Sequence, residues 1–469
     1  MKETTSELLH KFRRSIRHIL TLPPSTKAAE LEKIDESLTP NMRALRLVMT
    51  MAEQLLSMGV AARDVVQLAL GVTDTYCTRR VHIDISYTLI TVSQDRGNDR
   101  EPLTLVRTIV LDDVNYRVIQ AIQSLALTIR DTHLPLDEAE RMIDKIVYQP
   151  KHNSRWVIYT AGGVVSAGVV LLYNGSPLMI GMSFITGFLA TGMLRWMARV
   201  GLSTFYSQIA AALCITLVAV IMVRLNALLH LAINPTLFVI GGIVLLVAGM
   251  MTVGAFQDAI DEYYVTANAR ILKVIMATGG IVIGVITGLY IAARFSIRFP
   301  ATPDQLVLAS PHTQYLGALI IAAAFAARNH AAVFGTIVSG GVGMLGWWIS
   351  RLVLATGLGT TIASGVAAAT IGLMATFVSR FWRFPSLAII GAGIVPLVPG
   401  LSLYNGLLGV ATRSPGNPEF MAAIAVLLQA FMIALAVASG ATLGNMIGRP
   451  IRRRVIRFYS SAFPRRHSQ

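Results

Sequence analysis

The pattern of the chain changes near residue 150: before it apolar positions recur at helical or alternating spacing among charges, and beyond it long apolar runs follow one another. Leu45, Val48, Met49, Ala52, Leu55 and Leu56 mark one face of a helix that Gly59 ends, and Arg63 to Leu70 begins a second, short helix. Val81, Ile83, Ile85 and Tyr87 alternate with polar residues. Leu103 to Leu111 alternates again, so the two stretches read as partner strands interrupted by the turn Asp95-Arg-Gly-Asn98. Asn115 to Arg130 and Leu136 to Val147 predict two further helices, the second introduced by Pro135 and Asp137. No apolar run here approaches the roughly 20 residues that a spanning helix needs. Residues 41–150 are therefore expected to form a small cytoplasmic α/β domain. Residues 1–40 predict a basic amphipathic segment, with Leu9, Phe12, Ile16, Ile19 and Leu20 on one face, suited to a membrane surface and unlike a secretion signal.

Beyond the linker Gln149–Ser154 the runs predict ten spans. Trp156–Tyr173, Leu178–Leu194, Leu202–Val223, Thr236–Val253 and Ile271–Ala292 fall in residues 151–292; a connecting loop takes 293–314. Tyr315–Ala327, Ala332–Ile349, Thr360–Val378, Ser386–Ala411 and Phe420–Ile447 fall in 315–448, and a basic cytoplasmic tail follows over 449–469. The two halves are related. Ala198–Arg224 aligns without a gap on Leu354–Arg380, with about a third of the positions identical, and Pro235–Gly249 repeats, with one inserted residue, as Pro385–Gly400. Five spans per half place the halves in opposite orientations. The expected fold is thus a mostly α-helical polytopic membrane protein of two five-helix inverted repeats preceded by the α/β domain, an architecture of transporters.

Composition agrees: of 469 residues 54% are hydrophobic and 14% charged, and the mean hydropathy is +0.61. The net charge of +15 raises the question of nucleic acid. Its densest cluster, Arg449, Arg452, Arg453, Arg454 and Arg457, directly follows the last apolar span, where anionic lipid and membrane orientation explain it better. With the N-terminus inside, Lys151, Arg155, Arg195, Arg199, Arg270, Lys273, Arg328, Arg380, Arg383 and the tail are cytoplasmic, whereas Arg224, Arg294, Arg298, Arg351 and Arg413 are outside. Both termini are expected in the cytoplasm. Cys77 and Cys214 suggest neither a disulfide framework nor a metal site, and no cofactor is expected.

The ninth span carries Ile394-Val-Pro-Leu-Val-Pro-Gly400, and proline within an apolar helix removes a hydrogen bond and clashes one turn back. A break is expected from Pro396 to Gly400, with Pro399 inside it. Unwound backbone survives in a bilayer only where it lines a protein cavity or water, and freed carbonyls and half-helix ends suit the two charges of a zwitterion; the alternative is a packing kink. Gly249 holds the matching place in the first half. Downstream of the breaks lie Ser402, Tyr404 and Asn405, and Gln257, Asp258, Asp261 and Glu262. Asp258 is the candidate for proton coupling or for binding a substrate ammonium, with Gln257 beside it; a helix-capping role in a solvated loop is the alternative. Asp261 and Glu262 read as solvated. Gly340-Gly-Val-Gly343 and Gly279-Gly-Ile-Val-Ile-Gly284 read as helix-packing glycines, Trp347 and Trp348 as interfacial anchors, and the repeat-equivalent Arg195 and Arg351 as snorkelling anchors at opposite surfaces.

Gln257-Asp258 with Val265-Thr-Ala-Asn-Ala-Arg270 and Ala277-Thr-Gly-Gly-Ile281, the stretch Leu397 to Tyr404, and Val81-His-Ile-Asp-Ile85 resemble the threonine/serine exporter family. The resemblance runs from about Asn41 to Arg454. It implies export of L-threonine and L-serine from the bacterial cytoplasm across the inner membrane, driven by the proton gradient, so the expected partners are a small amino acid, protons and the lipid bilayer. The chain departs from the family at Asn405, where a basic residue is common, and near Glu262, where a glycine is common. A membrane-tethered hydrolase is the competing expectation: Ser57, Cys77, His82, Asp84, Asp112 and Asp113 supply possible nucleophiles and bases, with no motif framing them.

Overall fold

The structure, a computed structural model, describes residues 40–77, 79–95, 101–229, 235–246, 249–295, 307–382, 384–414 and 416–462. The amphipathic segment expected over 1–40 lies outside them apart from Pro40, as do most of the expected turn after Asp95 and the end of the basic tail. The N-terminal domain runs α1 (Pro40–Ser57), α2 (Ala62–Tyr76), β1 (Val81–Ser86), β2 (Leu89–Gln94), β3 (Leu103–Thr108), α3 (Tyr116–Thr132) and α4 (Leu136–Tyr148). The apolar stripe of α1 is buried from Leu45 to Leu56, packed on the other helices and the sheet. Gly59 ends the turn after α1 with φ +84°, and Asn115 caps α3 by accepting from the backbone N–H groups of Arg117 and Val118.

The sheet differs from expectation. It has three antiparallel strands in the order β1-β2-β3, so the stretches expected to pair directly are separated by Leu89–Gln94. The missed hairpin turns at Tyr87-Thr88, where Tyr87 takes φ +56° without the glycine or asparagine that usually announces such a turn.

The remaining helices are α5 (Arg155–Leu172), α6 (Pro177–Val200), α7 (Thr204–Leu229), α8 (Pro235–Leu246), α9 (Gly249–Ile260), α10 (Tyr264–Arg294), α11 (Pro311–Arg328), α12 (Val333–Ala355), α13 (Thr360–Trp382), α14 (Ser386–Gly393), α15 (Gly400–Thr412) and α16 (Pro418–Ala462). Among the described residues seven helices are long and apolar enough to cross a membrane: α5, α6, α7, α10, α12, α13 and α16. Two bent pairs raise the number to nine if each is one span. The pair α8 and α9 bends by 44°, and the pair formed by α14, its 3₁₀ turn Val395–Leu397 and α15 bends by 52°. The expected sixth span, Tyr315–Ala327, falls in α11, whose polar first turn, Pro311-His-Thr-Gln314, keeps it outside this set.

The helix boundaries repeat as the residues do. The shift that carries Ala198 onto Leu354 also carries Arg155, Pro177 and Thr204 onto Pro311, Val333 and Thr360, the first residues of α11, α12 and α13. Packing follows suit: α5 lies on α6 as α11 on α12, α7 on α10 as α13 on α16, and α9 on α10 as α15 on α16. A Cβ on Gly284 of α10 would overlap the Ile209 carbonyl of α7, and one on Gly444 of α16 would overlap the Ala369 carbonyl of α13, so both long pairs approach through small residues. Gly340 and Gly343 likewise face α11, as expected of packing glycines, whereas Gly341 faces open space.

Helices α5 and α11 pack against each other and run antiparallel. At one end the Asn153 backbone N–H donates to His330 Nδ1 at 2.9 Å and Asn153 Nδ2 to the Ala327 carbonyl at 2.9 Å. At the other the Ala309 N–H donates to the Leu172 carbonyl at 3.1 Å.

Candidate functional site

The proline break is real and hollow. After α14 ends at Gly393 the chain makes the 3₁₀ turn, extends at Val398 and restarts as α15 at Gly400, with Pro399 as its N-cap. Local bonds from Leu397 N–H to Ile394 O (2.9 Å) and Gly400 N–H to Val398 O (2.8 Å) satisfy part of the interrupted backbone. Pro396, Pro399, Gly400 and Ser402 line a cavity of about 320 Å³ together with Arg351 of α12 and the C-terminal end of α5. Trp347, expected at the interface, also lines this cavity and donates from Nε1 to Gln314 Oε1 at 3.3 Å; Trp348 is exposed. Tyr404 and Asn405 lie further along α15; Tyr404 is buried and the Asn405 Oδ1 is buried without a hydrogen bond. Gly249 begins α9. Gly400 packs on Ile240 and Val244 of α8, so the two bent elements touch.

A larger cavity, about 520 Å³, lies where the N-terminal domain meets the helices. The α1–α2 turn, the β1–β2 hairpin and the segment Leu111–Val114 form one wall; Arg195, Arg270, Lys273 and Arg328 approach from the helices. Contacts to the backbone of the domain help to hold it there. The Tyr87 N–H donates to Thr266 Oγ1 at 3.0 Å, the Tyr116 N–H to the Asn329 carbonyl at 3.0 Å, and Arg270 Nη2 to the Val60 carbonyl at 2.9 Å.

Asp258 and Gln257 belong to this junction and not to the proline break. Asp258, fully buried, accepts from the Ala62 N–H at 2.8 Å and its Oδ2 stands 2.8 Å from Arg270 Nη1. It thus caps α2 of the neighbouring domain, within a buried ion pair and not in a solvated loop. Gln257 donates to Asp64 Oδ2 at 3.2 Å. The expectation of solvated neighbours fails for Asp261, whose side chain is 1% exposed and paired with Arg63 at 2.6 Å, and holds for the exposed Glu262. Burial of one carboxylate beside another is supportable here because each has its own guanidinium.

His330 sits between α11 and α12 against the same cavity, 5.0 Å from the His152 ring. Burial, then the nearby His152 and Arg195, pull its pKa from 6.5 down to about 4. Its Nδ1 is an acceptor, so the neutral ring carries its proton on Nε2.

The two cavities correspond through the repeat. Arg195 lines one and its equivalent Arg351 the other; Phe325, Arg328 and Asn329 of the first stand in the register of Val169, Leu172 and Tyr173 of the second. Because α5 and α11 are antiparallel, the cavities lie at opposite ends of that pair. By sequence alone Arg195, Lys273, Arg328 and Arg351 are markers of sidedness, and Arg195 and Arg351 are snorkelling anchors at opposite surfaces. The available signal was that the two arginines occupy equivalent positions, but their convergence with residues far along the chain is a product of the fold.

The hydrolase candidates do not assemble. Ser57 Oγ donates to the Gln54 carbonyl at 2.9 Å, burial and then Asp74 push the Cys77 thiol pKa up, and His82 and Asp84 are exposed on β1. Among the described residues the side chains of Ser57, Cys77, His82, Asp84, Asp112 and Asp113 form no hydrogen bond or ion pair with one another; the Asp112 carboxylate accepts only from the Asp113 backbone N–H within this set.

Comparison with known proteins points one way. Residues 46–292 match the family described as "Putative threonine/serine exporter" and residues 314–447 the family "Threonine/Serine exporter, ThrE". The chain is 29% identical over 426 residues to the "Probable threonine/serine exporter" of Mycobacterium tuberculosis (strain ATCC 25618 / H37Rv), covering 87% of this chain and 77% of that relative. It is 27% identical over 434 residues to the "Threonine/serine exporter" of Corynebacterium glutamicum, covering 92% of this chain and 87% of the relative. No solved structure matches it. Since the first family alone covers more than half of its residues, this chain belongs to the threonine/serine exporter family.

Proposed function

We propose that the protein is a secondary active exporter of L-threonine and L-serine across the bacterial cytoplasmic membrane, driven by the proton-motive force. One observation carries the reading: the two cavities lie at opposite ends of an antiparallel helix pair and are built from repeat-equivalent residues. Two vestibules with the same construction are what alternating access between inverted repeats requires. The repeat in helix boundaries supports ten spans, with α11 as the sixth; it packs between α5 and α12, with Gln314 of its polar first turn buried. Both termini are assigned to the cytoplasm, because Arg195, Arg270, Lys273 and Arg328, all expected inside, gather around the cavity under the N-terminal domain, while Arg351 lines the other.

In this reading substrate passes the unwound segment at Pro396, Pro399 and Gly400, with Ser402 in the wall and Tyr404, Asn405 and Gly249 on the supporting elements. Asp258 is the coupling group, with Gln257 beside it bonded to Asp64 of the N-terminal domain: when Asp258 takes up a proton, Arg270 and the Ala62 N–H lose their anion, and the cavity wall that Arg270 forms is released. The test is flux of labelled L-threonine and L-serine in proteoliposomes of the purified chain, with and without an imposed proton gradient. Saturable flux that the gradient drives, and that each amino acid competes for, is expected; folded protein without such flux would sink the reading.

A further inference from the structure

The cavity under the N-terminal domain holds more positive charge than its surroundings neutralise. Arg270 is occupied by Asp258 and the Val60 carbonyl. Arg195, Lys273 and Arg328, which come from α6, α10 and α11, make no hydrogen bond or ion pair to any described residue, although all three line the cavity and none is fully exposed. Three half-buried cations from three helices, turned towards one space and without a bonded anion, are costly unless a ligand supplies negative charge. Across the cavity stands Asp113, on the segment between β3 and α3, within electrostatic reach of Lys273, Arg328 and His330. Its backbone N–H is bonded to Asp112 Oδ1 at 2.7 Å, which fixes the turn that presents both carboxylates.

We propose that this cavity is the capture site for the zwitterionic amino acid, with Arg195, Lys273 and Arg328 receiving its α-carboxylate and Asp113 of the N-terminal domain receiving its ammonium. The inference deepens the exporter reading and rests on it. It gives the N-terminal domain a direct part in substrate binding, since only that domain supplies the acidic wall. A carboxylate held by guanidinium and ammonium groups gains charge-assisted hydrogen bonds, and the ammonium end, matched to one carboxylate, separates an amino acid from a simple organic acid.

The opposite cavity is poorer in charge in the same register. Arg351 stands for Arg195, but Leu172 stands for Arg328. A substrate carboxylate therefore meets a denser cationic field beside the N-terminal domain than at the proline break. This difference makes the first cavity the side of tight capture and the second the side of release, which is the asymmetry an exporter needs.

The test uses the full chain, purified in detergent, and equilibrium binding of L-threonine, of 3-hydroxybutyrate, which lacks the ammonium, and of L-threoninamide, which lacks the carboxylate. Arg328→Gln and Lys273→Gln are expected to weaken L-threonine and 3-hydroxybutyrate by about tenfold or more each and to leave L-threoninamide unchanged. Asp113→Asn is expected to weaken L-threonine and L-threoninamide and to spare 3-hydroxybutyrate, a split that general unfolding cannot produce. Arg328→Lys, which keeps the charge, restores part of the affinity. If these variants bind all three compounds as the parent does while gradient-driven flux persists, the capture site is elsewhere and the proposal falls with the exporter reading intact. If the parent protein itself neither binds nor transports L-threonine, the exporter reading falls and takes the proposal with it.

Discussion

At Glu262 the backbone holds φ +69°, a left-handed conformation in which a side chain costs roughly 1 kcal/mol that glycine does not. The exposed carboxylate makes no hydrogen bond or ion pair to any described residue in return. Glu262→Gly is expected to raise stability by up to about 1 kcal/mol, read as a higher thermal midpoint in detergent; an unchanged or lower midpoint would mean that the turn is not strained. His330 makes the opposite kind of statement. Its pKa is depressed to about 4 in the fold and is 6.5 when unfolded, so between these values the unfolded chain binds the extra proton and the folded one does not. This contribution to stability is complete above pH 6.5 and is lost as pH falls towards 4, because burial, and then the neighbouring His152 and Arg195, disfavour the charged ring. His330→Asn, which tolerates the φ of +64° at this site, is expected to flatten the dependence of the thermal midpoint on pH over that window.

Between elements the decisive approach is that of α15 to α8. Gly400 lets the restarted helix lie on Val244, and a Cβ there would overlap the valine Cγ2. Gly400→Ala is expected to cost about 1–3 kcal/mol by overpacking and to impair transport, and Val244→Ala in the same chain to recover most of both. Recovery of folding without flux would instead point to the backbone at Gly400 as the sensitive feature. The proline break was legible in the sequence because proline's lost N–H is a local property. The hairpin at Tyr87-Thr88 was not, because a left-handed tyrosine has no composition to announce it.

For the whole molecule the junction of the N-terminal domain with the helices is the main result. Asp258 and Arg270, separated in sequence by a turn of helix and a loop, pair under α2, and Asp261 does the same with Arg63. Asp258→Asn leaves Arg270 buried without its anion, an effect of roughly 3–5 kcal/mol in comparable buried pairs, and loosens the domain's hold on the cavity. We expect this variant to lose gradient-driven L-threonine flux in proteoliposomes while exchange of the same amino acid between the two sides persists. Unaltered dependence of flux on the gradient would remove Asp258 from coupling and leave it as a cap for α2.

The chain by itself determined the elements whose causes are local or periodic: the apolar stripes, the spanning runs, the proline break, the duplicated register and the family. Hydrophobic period and proline chemistry act over a few residues, so they can be read without a fold. Only the tertiary structure decided that Asp258 caps a helix some two hundred residues away in sequence, that Trp347 and Arg351 line a cavity, and that Arg195, Lys273 and Arg328 meet Asp113 across one space. Convergence of that kind depends on how antiparallel helices bring distant segments together, and no local pattern in the residues encodes which partner each charge will meet.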